Sequence, residues 1–419
     1  MKKRVVSLIL ATIFAAAALS GCAAVRSENL TDGINKNPVP VYNYADGNEA
    51  QAVAQFSVQL LKQLCTEDKN VVYSPLSVLY ALAMTANGAQ GETLSQMEAV
   101  MGMDVQSLNG YLYSTVNTLP SDEGYDFDIA NSIWFKDDDG KFVVNEAFLQ
   151  TVKDYYLAQV YKAPFDDKTL KDINNWVAQQ TNGQIQNILD KIDPDAVMYL
   201  INALNFEALW LNDYDEYSVH DGTFTKADGR TQNAEFMYTA ENGYICDEDT
   251  QGFVKYYKDR KYAYVALLPD EDIKINDYIA SLDGEKITNL LGSLDPQQEV
   301  ETAIPKYETT FDVEMSDIFK SLGMTDAFDF RLADFSGLGT AQAEGENVCI
   351  NRILHKAFIR VAEKGTQAGA ATVVEMVAEG AMIIENQPKC VYLDRPFVYM
   401  IIDTQNNLPL FMGAVYEIE

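Results

Sequence analysis

The chain has 419 residues, 47% of them hydrophobic, enough for a large buried core. Its 62 acidic residues outnumber 31 basic ones, giving a formal charge of −31, and the basic run Lys2-Lys3-Arg4 lies at the extreme N-terminus. A body this acidic, with no basic patch, is a poor partner for nucleic acid, heparin-like glycans or anionic lipid, so none of these is expected.

Residues 1–21 read as a signal peptide: a basic start, an apolar stretch from Val5 to Ala18 too short for a membrane span, then Leu19-Ser20-Gly21-Cys22. That tail resembles the bacterial lipobox, which implies that Cys22 receives a diacylglyceryl group and becomes the new N-terminus. Two or more acyl chains, at about 0.8 kcal/mol per buried CH₂, anchor stably. The expected location is a cell-surface lipoprotein or the extracellular space; an ordinary secretory signal with an incidental Cys22 is the alternative. Residues 22–45 are polar, aperiodic and bear Asn and Pro, which reads as a flexible tether to a body spanning 46–419. Cys65, Cys246, Cys349 and Cys390 lack the paired spacing of a zinc site and read as buried free thiols, although export would permit a disulfide.

Helical periodicity marks Ala50–Leu64, Leu76–Ala86, Asn145–Tyr156 and Leu170–Leu189, with Ser74-Pro75 supplying a capping hydroxyl and a preset φ at a helix start. From Met198 the texture turns β-rich, in "MYLINALNF", "YAYVALLPDE", "RILHKAFIRVAEKG", "CVYLDRPFVYMII" and "PLFMGAVYE". Helices first and strands later, without βαβ alternation, predict one α+β domain around a mixed or antiparallel sheet. No catalytic set stands out. There are two histidines, His220 and His355, and no HExxH, S-x-x-K, G-x-S-x-G, P-loop or dinucleotide fingerprint. The acidic runs Asp137-Asp138-Asp139, Asp166-Asp167 and Asp247-Glu248-Asp249 sit between apolar stretches and read as solvated loops. The expectation is a protein that is not an enzyme and holds no metal or cofactor.

Nine stretches then occur in a telling order: "NVVYSPLSVLYALAMTANGAQGET" (70–93), "ANSIWF" (130–135), "INNWVAQQTNGQI" (173–185), "LINALNFEALW" (200–210), "LLPDE" (267–271), "IPKYE" (304–308), "ADFSG" (333–337), "HKAFIRVAEKGTQAGAA" (355–371) and "RPFVYMIIDTQNNLPLFMG" (395–413). Together they resemble the serpin family over nearly everything after residue 50. The resemblance implies the serpin fold: a large mixed central sheet, smaller sheets, about eight to nine helices and an exposed reactive-centre loop, here about 363–390. It also implies that Ser74, Ser77, Asn202 and His355 form a polar shutter beneath the sheet. His355 is then a satisfied core histidine, and Trp210 marks the top of the sheet, where insertion begins.

The stretch "EKGTQAGAATVVEMVAEGAM" (363–382) carries no charge from Thr366 to Val374. Alternate residues Thr366, Ala368, Ala370, Thr372, Val374 and Met376 would share one small, uncharged strand face, while Gln367, Gly369, Ala371, Val373 and Glu375 share the other. With Glu363, Gly365, Thr366, Ala368, Ala370 and Ala371 as hinge candidates, a segment that suits both solvent and a central strand fits an inserting loop. The resemblance implies suicide trapping: a serine protease acylates itself on the loop, and about fourteen residues at roughly 3.3 Å each then carry it some 45 Å.

Counting from Glu363 places the scissile bond at Glu379-Gly380, which suits a glutamyl endopeptidase. The neighbours Met376, Val377, Ala378, Ala381 and Met382 suit an elastase-like pocket, and no Lys or Arg lies between Lys364 and Lys389. The expected function is irreversible inhibition of an elastase-like serine protease, cleaved at Val377, Ala378 or Met382, by a monomer covalently joined to its target. Inhibition of a glutamyl endopeptidase or a cysteine protease, or a non-inhibitory binding role, stand as alternatives.

Overall fold

The computed structural model describes residues 25–41, 48–118, 125–137, 142–156, 158–181, 183–193, 196–341, 347–366 and 389–418, and among these the chain forms nine α-helices. The large sheet has seven strands in the order β1 (Glu28–Asn29), β5 (Gln159–Ala163), β3 (Tyr125–Lys136), β6 (Met198–Leu209), β15 (Gly365–Thr366), β14 (Arg352–Ala362) and β12 (Tyr307–Glu314). The second sheet has nine strands. Eight run in the order β16 (Lys389–Tyr392), β11 (Asp295–Pro305), β8 (Thr231–Cys246), β9 (Thr250–Tyr256), β10 (Tyr262–Pro269), β17 (Phe397–Asp403), β18 (Leu408–Val415) and β2 (Val71–Tyr73), and β7 (Val219–Thr225) pairs with β8. A small ladder joins β13 (Gly339–Ala341) to β4 (Phe142–Val144). The large sheet is mixed, because β3–β5 and β6–β14 run parallel and its other pairs antiparallel.

Both faces of the large sheet are covered, as the two-residue period of its strands requires. Ile133, Phe135, Val160, Met198, Leu200 and Ile353 enter the main core, while Trp134, Tyr161, Tyr199, Ile201 and Leu354 point the other way. That second face is capped by the helix Asp167–Gln180, which buries Thr169, Asp172, Ile173, Trp176 and Val177 at i, i+3, i+4 and i+7 spacings. Its start is fixed by a capping box: the Asp166 carboxylate accepts from the Thr169 amide at 3.0 Å and the Thr169 hydroxyl accepts from the Asp166 amide at 3.4 Å. In the second sheet β10, β17 and β18 are buried along their whole length, which is why they read as continuous apolar runs.

Three readings of the sequence need correction. The amphipathic stretch Leu170–Leu189 is helical only to Gln180. The Thr181 hydroxyl then accepts from the Ile185 amide at 3.1 Å and Gly183 takes φ +82°, so the chain turns while Ile185, Ile188 and Leu189 still reach the core. The polar segment after Cys22 is no free tether over residues 25–37. Its β1 residues pair with Lys162 and Tyr161 at the sheet edge, and the Leu30 amide donates to the Val160 carbonyl at 2.7 Å. One Asp172 oxygen accepts from the Arg26 amide (3.0 Å), the Ser27 amide (2.8 Å) and the Ser27 hydroxyl (2.7 Å). Asp154 accepts from the Asn37 amide and side chain at 2.6 and 2.9 Å. The four cysteines are free, as expected, but only Cys65 and Cys349 are buried; Cys246 and Cys390 are exposed, the first ending β8 and the second lying in β16 at the border of its sheet.

Candidate functional site: the central seam of the large sheet

The site lies between β6 and β14. At its lower end the two strands pair directly, Arg352 to His355 against Tyr199 to Asn202. At its upper end they are parted by β15, with Thr366 between Ala208 and Val361 and Gly365 between Leu209 and Ala362. Over the five intervening residues, 203–207 ladder with β3 and 356–360 with β12. Among the described residues no ladder joins them to each other. Among the described residues the seam is therefore paired below, wedged above and unpaired between.

The upper wedge is tightly built. A Cβ at Gly365 would lie 2.0 Å from the Ala208 carbonyl oxygen and 2.9 Å from Leu209 Cα, so glycine alone permits this approach. Thr366 is 1% exposed, and its hydroxyl shares a hydrogen bond with that of Tyr257. Tyr257 is itself buried and stacked on Trp210, with centroids 4.5 Å apart. Trp210 holds the strand that leads into the wedge: its indole N–H donates to the Ala362 carbonyl and its amide to the Lys364 carbonyl, both at 2.9 Å. The Tyr214 amide donates to the Glu363 carbonyl at 2.9 Å. Lys306 lies 2.7 Å from the Glu363 carboxylate and 3.2 Å from that of Glu235. Burial opposes ionisation of Glu363, but the hydrogen bond and positive charge of Lys306, with a backbone hydrogen bond, together outweigh it and hold the carboxyl below its ordinary range. Behind Trp210, the buried Lys255 ammonium pairs with Glu241 at 2.6 Å and faces the rings of Tyr214 and Trp210. Desolvation still pulls that ammonium below its usual pKa.

About six residues lower, or roughly 20 Å, a second polar cluster straddles the seam. Ser74 caps the helix Pro75–Ala86, its hydroxyl accepting from the Ser77 amide at 3.2 Å. The Ser74 amide donates to His355 Nε2 at 3.3 Å, and the Ser77 hydroxyl donates to Asn202 Oδ1 at 2.5 Å. The Asn202 amide group donates to the Ser77 carbonyl at 3.2 Å and to Asn131 Oδ1 at 2.6 Å. Asn202 belongs to β6 and His355 to β14, so one helix start holds a side chain from each strand. His355 is 1% exposed, and burial pushes its pKa down to about 4, so it is neutral at pH 7; the expected satisfied core histidine is bonded only at Nε2, since its Nδ1 has no hydrogen-bond partner among the described residues.

Two groups of predicted residues thus come together: Glu363, Gly365, Thr366 and Trp210 above, Ser74, Ser77, Asn202 and His355 below. The hinge candidates Ala368, Ala370 and Ala371, the scissile-bond candidates Met376, Val377, Ala378, Glu379, Gly380 and Met382, and Cys22 lie outside the described residues. Asn131, Tyr257 and Lys306 were not singled out. Asn131 carried a signal, a polar residue within the apolar run "ANSIWF"; Tyr257 meets its partner 109 positions later and carried none. Among the described residues no group of three His, Cys, Asp or Glu side chains is placed to hold a metal ion.

The profile of a family described as "Serpin (serine protease inhibitor)" matches residues 51–418. An uncharacterized serpin-like protein of Thermococcus kodakarensis is 31% identical over 372 residues, covering 87% of this chain and 84% of that one. Serpin B6 of Macaca fascicularis is 30% identical over 380 residues, covering 87% and 98%. Among solved structures, a thermophilic serpin, tengpin, in its native state superposes with a TM-score of 0.88 at 45% identity, covering 94% of this chain and all of that one. The same protein in its latent state gives 0.78 at 42% identity, covering 92% and 100%.

Proposed function

The chain belongs to the serpin family, and from that premise we propose that it is a suicide-substrate inhibitor of an elastase-like serine protease. The family supports protease inhibition in general. The observation that carries the finer reading is the wedge itself: Gly365–Thr366 already stands as the first two residues of a new strand, above a stretch where the described residues of β6 and β14 do not pair with each other. The greater likeness to a native-state than to a latent-state serpin supports a loop that is not fully inserted.

In the proposed reaction the protease serine oxygen attacks a loop carbonyl, and the peptide C–N bond breaks. The proton from the serine passes through the protease's histidine to the departing amine, leaving an ester between protease and loop. The loop, now free at that end, extends β15 downward by pairing with 203–207 on one side and 356–360 on the other. Each new hydrogen bond contributes a net ~0.5–1.5 kcal/mol, with apolar burial added. To continue below Asn202 and His355 the loop must part the direct ladder there. Both strands' polar side chains bond to the helix start at Ser74 and Ser77, so the shutter can keep those partners while the strands separate. The alternation of small uncharged residues after Thr366 supports this route, since a charge there would be buried. The absence of Lys and Arg between Lys364 and Lys389 supports an elastase-like target, with cleavage at Val377, Ala378 or Met382. On the same reading the protein is exported and anchored through a lipidated Cys22.

The test is a panel of serine proteases, with SDS-stable complexes scored on gels and the released C-terminal peptide weighed. An elastase-like enzyme should give a stable complex, and Thr366→Arg should convert the inhibitor into a cleaved substrate. Undiminished complex formation by that variant overturns the insertion mechanism, and complexes with tryptic enzymes alone overturn the target class. Cleavage without any complex would mark a non-inhibitory serpin.

A further inference from the structure

We infer that the docked segment 25–37 converts the lipid anchor into a short fixed foot. The protein then stands on its membrane on the pole bearing Lys136, Ala163 and Asn351, with the hinge Gly365–Thr366 facing away from the lipid. This rests on the reading of Cys22 as lipidated.

The register of the large sheet locates the foot. Glu28 is level with Lys162, Lys162 with Phe135, and Phe135 with Met198, at the lower end of the sheet. The hinge is level with Ala208, ten residues up β6 and so roughly 33 Å away. The Lys136 amide bonds to the Val197 carbonyl, the Asp137 amide to the Ala163 carbonyl, and Asn351 Oδ1 accepts from the Val197 amide, which defines that lower pole. From Cys22 to Arg26 the chain can span at most about 14 Å, less than half the distance to the hinge.

The foot is held, not merely nearby. The three bonds from Arg26 and Ser27 to Asp172 tie it to the helix Asp167–Gln180, close to where the lipidated residue would leave the body. Thr31 is 1% exposed, Leu30 and Ile34 pack on the main core, and Val25 packs on the cluster beneath that helix. The Gln150 side chain donates to the Asn35 carbonyl at 3.0 Å and Asp154 clasps Asn37, so the clamp continues for a dozen residues. A free tether from residue 22 to residue 47 could reach about 85 Å and would allow any orientation. Net charge does not supply the contact, because an acidic body is repelled by an anionic bilayer; the covalent foot alone sets the approach. The membrane-facing partner is therefore the headgroup layer beside the acyl chains of Cys22.

The experiment uses the full-length lipidated chain, with Cys246→Ser and Cys390→Ser removing the exposed thiols, in phosphatidylcholine vesicles containing a nitroxide-headgroup lipid. A fluorophore is attached at Lys168→Cys, beside the lower pole, or at Tyr217→Cys, which is 87% exposed just beyond the upper wedge. The probe at 168 should be quenched several-fold more strongly than the probe at 217, and undocking with Asp172→Ala plus Asp154→Ala should abolish the difference. Equal quenching in the parent protein, or stronger quenching at 217, overturns the fixed foot while leaving the anchor intact. A difference that survives the double substitution overturns the role of the docked segment. Failure of the protein to float with the vesicles overturns the lipidation of Cys22, and the foot with it.

Discussion

Two short extended pieces join the same sheet, β1 at its outer edge and β15 at its centre, and among the described residues each has two residues. The edge piece pairs on one side, and the segment around it is held by two carboxylates, Asp172 and Asp154, and by apolar packing of Val25, Leu30 and Ile34. The central piece pairs on both sides, is buried, and sits where no side chain beyond hydrogen fits at Gly365. A strand added at an edge leaves the existing ladders intact; one added at the centre must part a pair. What can travel is decided by place in the sheet, not by length.

Gly365→Ala should break the comparison most severely. Its Cβ meets backbone atoms of Ala208 and Leu209 that cannot swing aside, so the wedge must leave the seam. Exchange of the Trp210 amide, which donates to the Lys364 carbonyl, should rise by more than about tenfold, while that of the Leu30 amide holds. An unchanged Trp210 amide would show that the wedge is not held as described.

Next in size is the acid response of the lower seam. His355 titrates at about 4 when folded and near 6.5 in an unfolded chain, so between those values the unfolded chain binds more protons. Its contribution is present above about pH 6.5 and is lost as pH falls towards 4, by about 3 kcal/mol at most. The drop in thermal midpoint between pH 7.5 and 4.5 should shrink in His355→Asn; an identical drop in both proteins would place the acid sensitivity elsewhere.

Asp172→Ala sharpens the comparison from the edge. It strips one acceptor from three donors, a loss of about 2 kcal/mol, felt locally. Exchange of the Leu30 amide should rise and that of Trp210 should not. Movement of both would mean that edge and centre open together.

Tyr257→Phe should have the mildest effect. It removes one shared hydroxyl bond to Thr366, about 1 kcal/mol, so Trp210 amide exchange should rise about fivefold while the ring stack on Trp210 stays.

The same contrast explains what the sequence disclosed. The helix Pro75–Ala86 and the strands β6, β10, β14 and β18 were legible because capping residues and apolar periodicity are local signals. The lower cluster was legible through a family motif; its partner Asn131 was marked only by its polarity within an apolar run. The docking of residues 25–37 was hidden because a polar, aperiodic segment reads as solvated, and its partners Asp154 and Asp172 lie 117 and 145 residues away. Gly365 announced a hinge, but the depth to which Thr366 has entered depends on a gap between two strands that neither strand's own residues describe.

Trp210 has a further use. The chain has three tryptophans, and Trp134 and Trp176 both lie in the cluster under the helix Asp167–Gln180. Trp210 alone is stacked on the tyrosine that grips Thr366. The molecule therefore carries an optical gauge of its own hinge: with Trp134 and Trp176 replaced by Phe, ultraviolet emission would come from a single indole whose neighbour changes whenever the loop advances or withdraws, and the event could be timed without any added label.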